Sequence, residues 1–171
     1  NPLMINFSGA SGDDTVVGFD ADVSWMLAGL ESGSADLFAG DADNSPNFTF
    51  TGIEYINAGK NDDVVSNSGG TSIWTINDSG AFSLAGVSFS GVDSIAGINT
   101  DTLDYASFTS GVTVDLASGF AIGFESVTGF QNIIGSAFND TLIGDSNINV
   151  ISGGDGDDLI DGATGIDVLS G

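Results

Sequence analysis

From Gly153 to Gly171 the chain reads GGDGDDLIDGATGIDVLSG. Glycine weakens ordered structure and crowded aspartates repel, yet both are concentrated here at a regular spacing. Nine-residue frames divide this last part of the chain: GSAFNDTLI from Gly135, GDSNINVIS from Gly144, GGDGDDLID from Gly153 and GATGIDVLS from Gly162, with Gly171 opening another. The sixth position is Asp140, Asn149, Asp158 and Asp167; the eighth is Leu142, Ile151, Ile160 and Leu169. A flexible acidic linker has no reason to repeat an aliphatic residue at that interval.

The same frame returns upstream, once per longer unit. It reads GASGDDTVV from Gly9, AGKNDDVVS from Ala58 and AGINTDTLD from Ala96, with Asp14, Asp63 and Asp101 sixth and Val16, Val65 and Leu103 eighth. A related segment precedes three of the frames: FTFTGIEYI from Phe48, VSFSGVDSI from Val87 and FESVTGFQNI from Phe124. Alternating, strand-like sequence lies between, as VSWML at 23–27, SIWTI at 72–76 and VTVDL at 112–116. These make units of roughly forty residues. The first unit is longer, and its surplus, ESGSADLFAGDADNSPN at 31–47, has turn composition and is expected to protrude as a loop. No long amphipathic helical window is present.

The fold class that follows is all-β, a parallel β-roll or β-solenoid of stacked coils. Residues 1–134 are expected to form degenerate solenoid repeats, and residues 135–171 a nonapeptide β-roll continuous with them. Strands of successive coils would stack about 4.8 Å apart, with the eighth-position aliphatics in one continuous ladder. Trp25 and Trp74, in alternating segments, are expected in the core. The Thr-containing FTFT at 48–51 occurs once and makes no repeating face.

Charge narrows the function. The chain has 24 acidic residues, all but Glu31, Glu54 and Glu125 aspartate, against one basic residue, Lys60, for a net charge of −23. Nucleic-acid binding and attraction to an anionic membrane both rest on Lys and Arg, so neither is expected. Cys, His and Arg are absent, which removes disulfides, the usual zinc sites and Ser-His or Cys-His nucleophiles. With so many carboxylates, a pair close enough for glycoside hydrolysis carries no information. The chain is expected not to be an enzyme. No apolar run reaches membrane-spanning length. With no signal peptide and no initial Met, the chain is expected to be a processed or excised piece.

Stacking the frames also stacks their aspartates. Two carboxylates about 5 Å apart repel by roughly 1 kcal/mol in water, and by more at a protein surface. With a single Lys, the balancing charge must be a cation from solvent. Hard oxygen ligands in irregular, glycine-bent turns suit calcium better than magnesium. Asn61, Asn99 and Asn147 take the fourth, glycine-like position of degenerate frames.

The nonapeptides resemble the RTX calcium-binding repeat family, G-G-x-G-x-D-x-U-x. GGDGDDLID matches throughout. GATGIDVLS departs at Ala163, GSAFNDTLI at Ser136 and Phe138, and GDSNINVIS at Asp145, Asn147 and Asn149. The resemblance implies a parallel β-roll, two nonapeptides per coil, with calcium between loop i and loop i+2. One site would then use the carboxylates of Asp140 and Asp158 with carbonyls near Gly135, Ala137, Gly153 and Asp155. The other would lie among Gly144, Asn149, Gly162, Thr164 and Asp167, weakened by the neutral Asn149. Asp14, Asp63 and Asp101 are weaker candidates. The expectation is a secreted, calcium-stabilised structural segment of a bacterial surface, matrix or filament protein. The alternative is the carrier array of a type I-secreted enzyme or toxin, and a third reading is a carbohydrate-binding or adhesive module. Neither end has a capping segment, so continuation in a longer chain or end-to-end self-association is expected.

Overall fold

A computed structural model describes the strands within residues 1–54 by their backbone, and residues 55–171 apart from 59–61, 68–69 and 85. The earlier strands are β1 (Ile5–Ser8), β2 (Thr15–Val17), β3 (Ser24–Gly29), β4 (Ser32–Asp36), β5 (Phe48–Thr51), β6 (Tyr55–Asn57), β7 (Val64–Asn67), β8 (Ile73–Ile76), β9 (Phe82–Leu84) and β10 (Val87–Ser90). They are followed by β11 (Ser94–Asp104), β12 (Thr113–Asp115), β13 (Phe120–Ala121), β14 (Ser126–Ile134), β15 (Thr141–Ile143), β16 (Val150–Ser152), β17 (Leu159–Asp161) and β18 (Val168–Ser170). The described residues contain no helix, and their strands form two sheets. The segments at 23–27, 72–76 and 112–116 overlap β3, β8 and β12.

The nine-residue spacing becomes a pairing register. β14, β16 and β18 pair in parallel, which aligns Ile133, Ile151 and Leu169. β12, β15 and β17 do the same in the smaller sheet, aligning Val114, Leu142 and Ile160. Within the nonapeptides each step is therefore two frames, and alternate frames serve different sheets.

Two expectations need correction. The eighth-position aliphatics do not form one ladder: Val16 aligns with Ile56, Val65 with Trp25 and Ile95, and Leu103 with Trp74 and Ile133. Each unit contributes more than one strand, so equivalent positions of successive units fall into different columns. Nor is the pairing purely parallel. β4 runs antiparallel between β3 and β5, β9 between β8 and β10, and β13 against β12. A short turn can only connect antiparallel neighbours, so the longer upstream units take up their extra chain as hairpins. β4 itself lies within 31–47, where a protruding loop was expected; its backbone is paired on both sides, which turn composition does not reveal. Residues 37–47 lie outside the described residues, as does Lys60.

Among the described side chains the core is heaviest around Trp74. Trp74 is fully buried, stacked on Phe82 with ring centroids 5.2 Å apart and edge-on to Phe130 at 5.2 Å, and Phe82 stacks in turn on Phe89. Trp74 is thus a core aromatic; the side chain of Trp25 lies outside the described residues. Toward the C-terminal end the core thins. Leu142 and Ile151 are buried, Ile160 only partly, and Leu169 is 46% exposed. A fully buried aliphatic contributes about 1.5–3 kcal/mol, while ordering the backbone costs about 1–2 kcal/mol for every residue. The tail needs a further source of stability.

Candidate metal centre

In all four nonapeptides the sixth side chain folds back over the first glycine. A Cβ on Gly135 would collide with Asp140 Oδ2, one on Gly144 with Asn149 Oδ1, one on Gly153 with Asp158 Oδ2 and one on Gly162 with Asp167 Oδ2. Glycine is needed there for want of space. Gly154 and Gly156 answer a different demand. Both have positive φ, +100° and +123°, and both lie directly on the turn before: a Cβ on Gly154 would meet the Ser136 carbonyl oxygen, and one on Gly156 would be 2.9 Å from that of Phe138. Glycine therefore lets one turn settle on the backbone of another, which also brings their aspartates together.

Between turns 135–140 and 153–158, Asp158 Oδ1 accepts the Asp140 backbone N–H at 2.9 Å. Asp158 Oδ2 is buried and has no hydrogen-bond partner. Leaving a buried charged oxygen unsatisfied costs well over the 1–3 kcal/mol of a neutral group. Asp140, 3% exposed, is better supplied: Oδ1 accepts from Val112 N at 2.7 Å and Ser136 Oγ at 2.8 Å, and Oδ2 from Ser136 N at 2.7 Å. Gly135 and Gly153 face each other, a Cβ on the former falling 2.5 Å from the Gly153 carbonyl oxygen. Ala137 and Asp155 are exposed.

The opposite edge repeats this register. Asp167 Oδ1 accepts the Asn149 N–H at 3.0 Å. The buried Asn149 side chain is engaged locally, its Oδ1 accepting from Asp145 N at 2.9 Å and its Nδ2 donating to Gln131 O at 2.9 Å and Asp145 Oδ1 at 3.3 Å. The Gly162 carbonyl lies against Gly144 and the Asn147 carbonyl against Gly165, while Thr164 is exposed.

Upstream, Asp101 is completely buried. Its Oδ1 accepts from Ser72 N at 2.7 Å, and its Oδ2 from Asn67 Nδ2 at 2.9 Å, Trp74 Nε1 at 3.0 Å and Ile98 N at 3.1 Å. Asp63, also buried, donates its N–H to Asp93 Oδ2 at 2.9 Å. Asp14 lies outside the described residues. Asp93 was not singled out from sequence, although the signal is visible: in GVDSI a glycine at 91 with φ +68° precedes an acid by two and an aliphatic by four, as in the nonapeptides. The segments before the frames are thus frames themselves. Ser136 was read only as a departure from the repeat, and the carbonyls of Ser136 and Phe138 were passed over. The glycines at the second and fourth positions pointed to both carbonyls.

No three Asp or Glu side chains among the described residues converge to hold an ion. A cation here would need backbone carbonyls, and the turns supply them beside a carboxylate oxygen that lacks a partner. The donor set is oxygen throughout, which fits calcium. Residues 134–169 match the family model for the RTX calcium-binding nonapeptide repeat, in four copies. No curated protein matches the chain.

Proposed function

We propose that these four nonapeptides make residues 135–171 a calcium-stabilised parallel β-roll at the end of a β-solenoid, serving as a structural segment of a secreted bacterial protein. The orphaned Asp158 Oδ2 carries this reading, because a buried oxygen with neither a donor nor water access calls for a cation. One calcium would lie between turns 135–140 and 153–158, held by Asp158, the remaining lone pair of Asp140 and nearby carbonyls. A weaker site on the other edge would use Asp167 with the turn at 144–149.

The reading is non-enzymatic. It is supported by carboxylates that serve the stacking of turns: Asp93 accepts the Asp63 amide and Asp158 the Asp140 amide. An extracellular setting suits sites that fill at about 0.1–1 mM calcium. Self-association belongs to the same reading, supported by the exposed row Ile148, Val150, Ile166 and Val168 on one edge of the tail. Calorimetric titration of the full chain with calcium chloride tests the binding, and light scattering with and without calcium tests the assembly. A chain that takes up no calcium in the millimolar range is not what is proposed.

A further inference from the structure

Buried carboxylate charge has to be balanced, and the means differs between the sixth-position residues Asp101, Asp140 and Asp158. Asp101 has four N–H donors, two of them from Asn67 and Trp74. Asp140 has three donors, two supplied by Ser136 and one by Val112. Asp158 accepts one amide, and its other oxygen has nothing. The residue equivalent to Ser136 in its frame is Gly154, which has no hydroxyl.

We infer that Ser136 stands in for a cation at Asp140, so that the junction between the Val112 strand entry and turn 135–140 is closed without calcium. An ionised carboxylate offers about four acceptor positions. Three at Asp140 are filled by charge-assisted hydrogen bonds, and Ser136 is only 3% exposed, so its hydroxyl has no water to turn to. Calcium dependence therefore begins one turn later, at Asp158. The departure from the repeat at position 136 becomes a device that ties the calcium-requiring tail to a calcium-independent body. When calcium is withdrawn, β12 and β15 stay paired and keep a template on which the tail re-forms.

This inference rests on the calcium reading above, and the test separates the two. Amide hydrogen exchange of the full chain is followed by NMR in calcium and in chelator, for wild type, Ser136→Ala and Ser136→Gly, with Asp158→Asn and calcium calorimetry alongside. In wild type the amides of Val112 and Thr141, which donate to Asp140 Oδ1 and to the Val112 carbonyl, keep their protection in chelator, while those of Leu159 and Val168 lose it. In both Ser136 variants Val112 and Thr141 exchange roughly tenfold faster in chelator. In Ser136→Gly calcium restores them, because Asp140 then resembles Asp158. A role in packing alone accelerates exchange equally with and without calcium, and that result overturns the inference. So does release of Val112 and Thr141 by chelation in wild type. If calorimetry finds calcium and Asp158→Asn removes a site, the calcium reading survives such a result. If wild type takes up no calcium, both fall.

Discussion

The carboxylate of Asp158 is divided between two tasks: Oδ1 holds the backbone amide of Asp140 at 2.9 Å across stacked turns, and Oδ2 is buried without a partner. Replacing Asp158 with Ala should therefore act differently in calcium and in chelator. With calcium at about 100 times its dissociation constant, losing one site removes roughly 2.7 kcal/mol. In chelator that part is gone, leaving the hydrogen bond to a charged acceptor, about 1.5–3 kcal/mol, partly offset by removal of the orphaned charge. Asn149→Asp should show the opposite pattern. It loses the Nδ2 bond to the Gln131 carbonyl and turns an oxygen toward it, so it destabilises in chelator and gains calcium affinity on that edge. Denaturant melts in both buffers measure all of this, and indistinguishable calcium responses for the two variants would mean the turns are paired wrongly.

How much of this was legible in sequence follows from what each residue does. Where one residue type serves one geometric need, the sequence shows it: Gly153 has no room for a Cβ, Asp158 points back over it, and Ile160 aligns with Leu142. The hairpins were not legible. β9 and β4 run antiparallel between their neighbours, and the direction in which a strand pairs leaves no mark on side-chain identity, even where, as in β9, Phe82 and Leu84 alternate into the core. Nor could the frame at Ala96 reveal that Asp101 is filled by Asn67 and Trp74, which come from another unit. The same holds for Val112 at Asp140, since long-range donors have no local spacing.

Asp101 should matter whether or not calcium is present. Changing it to Ala takes the acceptor from the buried Trp74 indole N–H and from the amides of Ser72 and Ile98, while Asn67 Nδ2 keeps the Gly70 carbonyl and Ser72 Oγ. Each buried donor left unsatisfied costs about 1–3 kcal/mol. The expected result is an equal loss in calcium and in chelator, with Trp74 fluorescence shifted to the red. A loss seen only in calcium would instead indicate a metal role for this residue.

Ala163 takes φ +60°, where its Cβ is strained. The left-handed region costs an L-residue about 1–2 kcal/mol, while glycine adds about 0.5–1 kcal/mol of unfolded-state entropy. Ala163→Gly, which also completes the repeat pattern of the last frame, should therefore stabilise the tail by about 0.5–1 kcal/mol. The thermal midpoint in calcium reads this directly, and a lower midpoint would contradict it.

Tyr105 sets an alkaline limit on the body of the fold. It is buried against Phe108, its hydroxyl donates to the Ile122 carbonyl at 3.0 Å, and burial pushes its pKa well above the ordinary 10.0. The raised group contributes stability that is fully present below the unfolded value and declines as pH rises past it, because only the unfolded chain then releases the proton. Tyr105→Phe should lose the hydrogen bond, about 1 kcal/mol at neutral pH, but flatten the fall in stability above pH 10. An unchanged alkaline slope in the variant would place the effect at another tyrosine.

The most direct test of the account is residue-resolved hydrogen exchange of wild type in millimolar calcium and after chelation. With calcium, the amides of Leu159 and Val168, bonded to the carbonyls of Asp140 and Asn149, should be protected together with those of the Trp74 core. After chelation, protection of Leu159 and Val168 should collapse, while Thr102, which is bonded to the Ser72 carbonyl beside Asp101, keeps its own. Unchanged protection of Leu159 and Val168 after chelation would contradict the claim that calcium holds the tail.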